Sequence, residues 1–455
     1  MSNPAASLYL LDEYIRIPTV SSEITAETVS QVQAFWARQG LNFELLNTDF
    51  PKPGKVQNPA LFAAVPADVA EAPTILLYGH WDVQPTGDLD KWQWAGYPCP
   101  PFEPTYFLED RFLGSDPATA LANISSEELD AVKLVARGAA DNKGQHLANI
   151  LGVLQAKQAG KLAWNVKIIL DGEEEVGSPN LWAIVQAHRD KLAADFMVGS
   201  DGPKSDNRPT LLLGVRGLLA VTIRCDNGTG RMLHSGNYGN VTPNPALPLA
   251  HLLEEMAGAV KEIGEAQSQF RAIIDRYFGN DPERARYQPF LWPYFNVNSF
   301  MTQGATAGQR RTIIPSWAEA SVDVRLIPGL SPEEVYKTLE ALTEKANAEV
   351  AAKNLKFTIE MGSSCAASFT APDREGFAWL RKVVEGYWGD DIRLIPILGG
   401  TLPNDAFTDG LGLAAYWLPA ANSNNRQHDT NEHFILEHYF RQQDFYARLV
   451  TTPYE

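Results

Sequence analysis

Short apolar runs that break into glycine-containing loops recur along the first 210 residues, and that rhythm constrains the fold more than any other feature. The runs at 61–65, 74–78, 166–170 and 195–199 have the length of strands, and helical patterns lie between them. Strand alternating with helix is the signature of an α/β domain on a mixed, mostly parallel sheet flanked by helices. The stretch 143–159 predicts an amphipathic helix, with apolar residues at 147, 150, 151 and 154. Residues 88–131, rich in Trp, Pro and acidic side chains, read as an irregular segment that is functional or an insertion.

Near residue 210 the pattern changes. The run 211–225 predicts one long strand, followed by a helix opened by Pro245 and ending near 263. Strands are expected at 294–302, 317–326 and 355–361, with a helix opened by Ser331-Pro332 before the last of them. Strand, helix, strand, strand, helix, strand is the order of a ferredoxin-like α+β sandwich. The α/β style resumes at about 370. We therefore expect a host domain in two parts, 1–209 and 369–455, with a second domain, 210–368, inserted into it. A chain of 455 residues is too long for one ordinary core and suits this division.

The ends of the apolar runs carry the chemistry. ILLYGHWD (75–82) supplies His80 and Asp82, and VARGAADNKG (135–144) supplies Asp141. KIILDGEEEVGS (167–178) supplies Glu174 and Glu175, FMVGSDGP (196–203) supplies Asp201, and NSNNRQHDTNEHF (422–434) holds His428 and His433. Taken singly, a His-x-Asp pair is a hydrogen-bonded pair, an Asp after a strand caps a helix, and a Glu triplet is a solvated turn. Taken together, at strand ends where open α/β sheets place their sites, they describe an open metal site. More carboxylate than imidazole suits Zn²⁺, Mn²⁺ or Co²⁺ rather than a structural thiolate zinc.

Composition excludes several classes. Net charge is −17 with no block of Lys or Arg, which argues against nucleic acid or an anionic membrane as partner. Three cysteines, Cys99, Cys225 and Cys365, with no CxxC, fit a reducing compartment. The first residues, MSNPAASLYLLDEYIRIPTVSS, lack a basic region and carry Asp12 and Glu13, so no signal peptide is read there. No apolar run approaches the ~20 residues of a membrane span. A cytoplasmic protein is expected.

YGHWDVQP, RGAADNKGQ, EEEVGS, SDGP, LHSG and HDTNE, in this order, resemble the M20 family of co-catalytic metallopeptidases, nearest its dipeptidase (carnosinase-like) branch. The resemblance covers nearly the whole chain. It implies a catalytic host domain and an inserted lid and dimerisation domain. It further implies two divalent metal ions per subunit, Zn²⁺ first and Mn²⁺ or Co²⁺ as alternatives. One ion would be held by His80 and Asp201 and the other by Glu175 and His428, with Asp141 bridging. Two such ions can clamp the attacking and the leaving atom together. Asp82 would orient the His80 ring, and Glu174 would be the general base that draws a proton from water and passes it to the leaving amine. The family pattern His, two residues, Asn-Glu selects His428 over His433. The bond after the bridging aspartate is cis in the family and is expected so at Asp141-Asn142, where Asn142 stands in place of the more frequent Asp.

For substrate binding, the resemblance points to His234 in LHSG, reaching a neighbouring subunit's site to stabilise the oxyanion, with Met232 where the family has Asp. Arg325 and Thr312 match positions that hold the substrate's carboxylate end, a role a guanidinium fork fills well. Backbone amides of Gly400 and Thr401 can face the same group, and Asn298 is a further candidate. The resulting expectation is hydrolysis of the amide bond of dipeptides or similar short peptides by a homodimer joined through the inserted domain. Two alternatives stand beside it: an N-acyl amino-acid deacylase of the acetylornithine or succinyl-diaminopimelate type, and a non-catalytic relative that only binds a ligand. The segment 112–134, longer than the dipeptidase branch implies, has no assigned role.

Overall fold

The computed structural model describes residues 4–125, 127–306, 308 and 311–454. The chain divides into two compact units, Met1–Leu213 with Thr370–Ile395 and Ala406–Glu455, and Gly214–Phe369 with Pro396–Asp405. The crossings fall at 213/214 and 369/370, a few residues beyond the expected positions. Residues 396–405, expected with the host, belong to the second unit.

The first unit is built on an eight-stranded sheet. Its order is Glu44–Leu46, Ala60–Val65, Asn165–Asp171, Thr74–His80, Phe196–Gly199, Ala414–Trp417, Thr210–Leu212, Arg393–Ile395. The four central strands run parallel, as their registers show: Thr74↔Asn165, Phe196↔Ile75 and Phe196↔Ala414. Strands buried on both faces read as unbroken apolar runs, which is why ILLY (75–78) and FMVG (196–199) were legible. All four carboxyl ends, at His80, Asp171, Gly199 and Trp417, lie on one edge of the sheet.

Helix Lys143–Gln158 forms where its periodicity predicts, but it is not amphipathic as read. Its first two turns are buried all round, including Lys143, Gln145, His146 and Asn149, while Leu151 and Leu154 are only half-buried. The helix packs against the C-terminal helix Leu436–Thr451. Gly152 is the point of closest approach, where an added Cβ would stand 2.4 Å from the Gln443 carbonyl oxygen.

The segment 88–131 is not irregular. It contains a short hairpin, Gln93–Trp94 with Tyr97–Pro98, and the paired strands Thr105–Leu108 and Arg111–Gly114. A helix, Pro117–Ala122, capped by Asp116, follows. The latter strand pair joins Val132–Val135 and His433–Ile435 in a separate four-stranded sheet. Most of the 112–134 stretch is therefore ordered structure of the first unit.

The second unit has a four-stranded antiparallel sheet in the order Tyr294–Thr302, Trp317–Leu326, Gly217–Asp226, Lys356–Cys365. That is the ferredoxin-like arrangement, with helices Ala246–Ala266 and Pro332–Val350 packed against it. Burial alternates strictly along Gly217–Asp226 and Trp317–Leu326, as a sheet with one covered face requires. The run 211–225 is three strands in three sheets: Thr210–Leu212, Gly214–Val215 and Gly217–Asp226.

Candidate metal centre and active site

The parallel strands deliver the candidate ligands by their own geometry. His80 is the last residue of Thr74–His80, Asp201 lies two residues past Phe196–Gly199, and Glu174 and Glu175 lie just past Asn165–Asp171. His428 comes eleven positions after the end of Ala414–Trp417. Asp141 differs. Its preceding strand, Val132–Val135, is in the smaller sheet, so a loop rather than a central strand carries it in.

These side chains converge on two points. His80 Nε2 is 2.9 Å from Asp141 Oδ1 and 3.6 Å from Asp201 Oδ2. His428 Nε2 is 3.1 Å from Asp141 Oδ2 and 3.2 Å from Glu175 Oε2. Asp141 thus turns one oxygen to each imidazole. The other two carboxylates each have one oxygen tied: Asp201 Oδ1 accepts from Gly202 N at 2.5 Å and Glu175 Oε1 from Gln84 N at 3.1 Å. Glu175 Oε2 is buried and faces His428 Nε2. His80, Glu174 and Asp201 present ligand atoms within 4.8 Å of one another, and so do His80, Asp141 and Glu175.

A pair of divalent cations fits this set. His80 Nδ1 lies 3.0 Å from the Asp82 carbonyl oxygen and 3.3 Å from Asp82 Oδ1, which places its proton on that side and leaves Nε2 as the ligand atom. Burial disfavours a charged His80, yet Asp201, Asp141 and Asp82 raise its pKa well above the usual value. His428, half-exposed at the open side of the cluster, is raised to about 10 by Asp141 and Glu175. Burial opposes ionisation of Asp141, but His428 and His80 hold its pKa well below normal. Burial and neighbouring carboxylates lift Glu175 to about 7 and Asp201 to about 6. Buried carboxylates crowded against one another need positive charge to stay ionised, and two divalent ions supply it.

Glu174 is raised well above the ordinary carboxylate range by burial and by the charges of Asp201, Glu175 and Asp141, with His80 opposing. Its loop is fixed by Asp82, whose Oδ1 and Oδ2 accept from Glu174 N at 3.2 Å and Glu175 N at 3.1 Å, while Ser21 Oγ donates to Oδ2 at 2.7 Å. Asp82 therefore does more than face the imidazole. Glu173, read as part of an acidic turn, is wholly buried and accepts from Asn58 N, Asn180 N and Asn180 Nδ2 at 2.9–3.0 Å.

The Asp141-Asn142 bond is cis, as expected. Asn142 serves as a donor, its Nδ2 reaching the Ser200 carbonyl at 2.6 Å, which an ionised Asp in that position could not do. His433 is a core histidine, edge-on to Trp94 at 5.1 Å and lowered to about 4 by burial. The sequence had not marked Glu173 or Ser21 as parts of this frame, and Gln84 lay unassigned within YGHWDVQP.

The substrate-binding candidates all lie in the second unit, in separate places. His234, exposed, pairs with Ile313, and its Nδ1 accepts from Gly236 N at 3.1 Å. Its own turn orients it, while Met232 packs over Gly304. Thr312 adjoins it, its carbonyl accepting from Ser235 N at 3.0 Å. Arg325 donates to Thr401 Oγ1 at 3.0 Å and to Asp323 Oδ2 at 3.2 Å. The Gly400 carbonyl accepts from Arg216 N at 3.2 Å. Arg216, buried and missed by sequence reasoning, is lowered to about 10 by burial and by the charge of Arg325. Asn298, exposed on the edge strand, falls at the register shift between Val297 and Ser299, a bulge position.

Comparison with known proteins agrees with this chemistry. The sequence pattern of peptidase family M20/M25/M40 matches residues 76–452. The rat (Rattus norvegicus) Beta-Ala-His dipeptidase is 25% identical over 442 residues, covering 89% of this chain and 82% of its own length. A Cys-Gly metallodipeptidase of Schizosaccharomyces pombe is 23% identical over 473 residues, covering 95% and 92%. Among solved structures, an M20 family metallo-carboxypeptidase from Sulfolobus solfataricus aligns with a TM-score of 0.76 and 25% identity, covering 98% of each chain. With a match running over nearly the whole sequence and a ligand set drawn from the same segments, this chain is a member of peptidase family M20/M25/M40.

Proposed function

We propose that this protein is a dipeptidase that hydrolyses the amide bond of dipeptides or similarly short peptides, using two divalent cations. The observation that carries the reading is Asp141, whose two oxygens face two different imidazoles at 2.9 and 3.1 Å. His80 and Asp201 would hold one cation and Glu175 and His428 the other, with zinc the expected metal. When bound, the pair supplies Lewis-acid polarisation of the scissile carbonyl and of the attacking water. Glu174 takes the proton from that water and returns it to the leaving amine. Asp82 keeps Glu174 in place through its backbone amide. Arg325, with the Gly400-Thr401 turn beside it, is suited to the substrate's terminal carboxylate. Asn298 is assigned to substrate contact as well.

A homodimer joined through the second unit completes the reading. His234 pairs with Ile313, four residues before the strand Trp317–Leu326 begins, while Arg325 lies at that strand's far end. A ten-residue strand separates its ends by about 30 Å, and a dipeptide spans about 7 Å. This spacing supports His234 and Thr312 serving a second copy's substrate rather than the one Arg325 holds. No helix among the described residues is long and apolar enough to cross a membrane. The deciding assay sets a panel of dipeptides against N-acetyl and N-succinyl amino acids, with Zn²⁺ or Mn²⁺ added. Dipeptide turnover at least tenfold above any acyl substrate is expected, and the reverse order overturns the assignment.

A further inference from the structure

Glu432 is buried, carries four hydrogen bonds and has no part in the chemistry above. It immediately precedes the strand His433–Ile435, which pairs antiparallel with Val132–Val135 in the register His433↔Val135. That register sets Glu432 opposite Ala136, whose N–H donates to the Glu432 carbonyl at 3.0 Å. The side chain is thereby delivered into the loop 137–141. There Oε1 accepts from Ala140 N and Asp141 N, both at 2.8 Å. Oε2 accepts from Gly138 N at 3.0 Å and from Arg137 Nη1 at 2.8 Å. Neither side chain is more than 2% exposed.

Three amides converging on one carboxylate require an unusual turn. Gly138 supplies it with φ +82°, and a Cβ there would stand 2.8 Å from Val83 Cγ1. The guanidinium extends the connection. Arg137 Nη2 donates to the Pro85 carbonyl and to the Asp429 carbonyl, each at 3.1 Å. One ion pair thus ties together the loop after His80 and Asp82, the loop bearing Asp141, and the loop bearing His428. His428 itself sits at φ +63°, in the left-handed region that few residues other than glycine adopt.

We propose that Glu432 is the positioning residue of the cation pair. It fixes the backbone on which the bridging Asp141 stands and couples it to the His428 loop. The charge is needed because a neutral side chain cannot accept four donors with equal strength. This inference rests on the two-cation reading of the site, and its test separates the two.

Metal-free protein is titrated with Co²⁺, following the visible ligand-field bands and the stoichiometry, for the parent chain, Glu432→Gln and Glu432→Asp. The parent should take up two ions. Glu432→Gln should bind them 10–100-fold more weakly, the range expected when a group supporting a metal ligand is lost. Its band intensities should change, and kcat at saturating metal should fall at least tenfold with KM held within twofold. Glu432→Asp keeps the charge at shorter reach and should recover part of the affinity. If Glu432→Gln does not fold, judged by circular dichroism, Glu432→Asp carries the test with an expected weakening of at least threefold. A parent that binds fewer than two ions overturns the two-cation reading. A folded variant with the parent's Co²⁺ affinity and spectrum overturns the role of Glu432 alone.

Discussion

The two units hold their functional side chains in opposite ways. In the first, Glu174, Glu175 and Asp141 are each backed by a buried group with several donors or acceptors: Asp82 behind Glu174 and Glu175, Glu173 behind their turn, Glu432 behind Asp141. In the second, His234, Thr312 and Asn298 are exposed, and Arg325 is held by two hydrogen bonds at half-buried positions. A frame that dense fixes ligand atoms before anything binds, as metal coordination and proton transfer demand. Exposed side chains on a sheet rim are presented outward, toward a substrate or a second copy. On the proposed roles, the first unit holds the cations and moves the proton while the second unit contacts the substrate and its oxyanion, and the variants below test one side or the other.

The largest effect should follow from Glu174→Gln. On the proposed assignment Glu174 is a ligand to neither ion, so both cations should remain by elemental analysis, while kcat drops on the order of 10³-fold. Retained turnover with intact metal content removes Glu174 from the proton path. It would also break the assignment of proton transfer to the first unit.

His234→Ala comes next. Losing an oxyanion donor costs about 3 kcal/mol, or roughly 10²-fold in kcat. Mixing this variant with Glu174→Gln sharpens the comparison. If His234 serves a neighbour's site, the mixed dimer holds one whole site and activity partly returns. No recovery under demonstrated subunit exchange, or full activity in a monomer by light scattering, would falsify the shared site.

Arg325→Ala should act mainly on binding. A charge-assisted pair to a carboxylate contributes about 2 kcal/mol, so KM should rise about thirtyfold with kcat nearly unchanged. A fall in kcat with unchanged KM would place Arg325 among the chemical groups and blur the division. Thr401, which Arg325 touches, should show a smaller change of the same kind.

What could be read in advance follows the same line. The central parallel strands and their ligands were legible because a strand buried on both faces writes an apolar run, and the run stops where the loop begins. The run 211–225 defeated that logic: three strands in three sheets lie end to end with only Gly214, Arg216 and Gly217 between their apolar stretches, too short a break to mark the crossing near Leu213. Helix Lys143–Gln158 misled for a different reason. Its polar residues Lys143, Gln145, His146 and Asn149 are buried with partners inside the frame, and periodicity reads polar as exposed. Glu432 lay in plain sight within HDTNE, but the spacing that selects a ligand says nothing about which neighbouring acid collects backbone amides. Hydrogen-bond satisfaction at a distance of 291 residues is a property of the fold.

The smallest expected effect probes the cost of burying charge in the first unit. Lys204 is buried beside Trp388, with its Nζ 2.8 Å from His438 Nδ1. Burial lowers its pKa from 10.5 to about 7, and the same burial lowers His438 to about 3, so the imidazole is neutral and accepts. As pH falls from about 10.5, the unfolded chain takes up a proton that the folded chain refuses until about 7. Stability is therefore highest at alkaline pH, declines through that window and levels off below it, by at most ~1.4 kcal/mol per pH unit. Replacing Lys204 with Met, in a setting lined by Val384, Trp388, Leu418 and Phe445, removes the titrating group and keeps the volume. The parent-minus-variant difference in unfolding free energy should then grow by about 1 kcal/mol between pH 7 and pH 8, measured by denaturant titration. A difference that does not change with pH would mean that Lys204 keeps its proton in the folded chain, and that the first unit houses this cation at no pH-dependent cost.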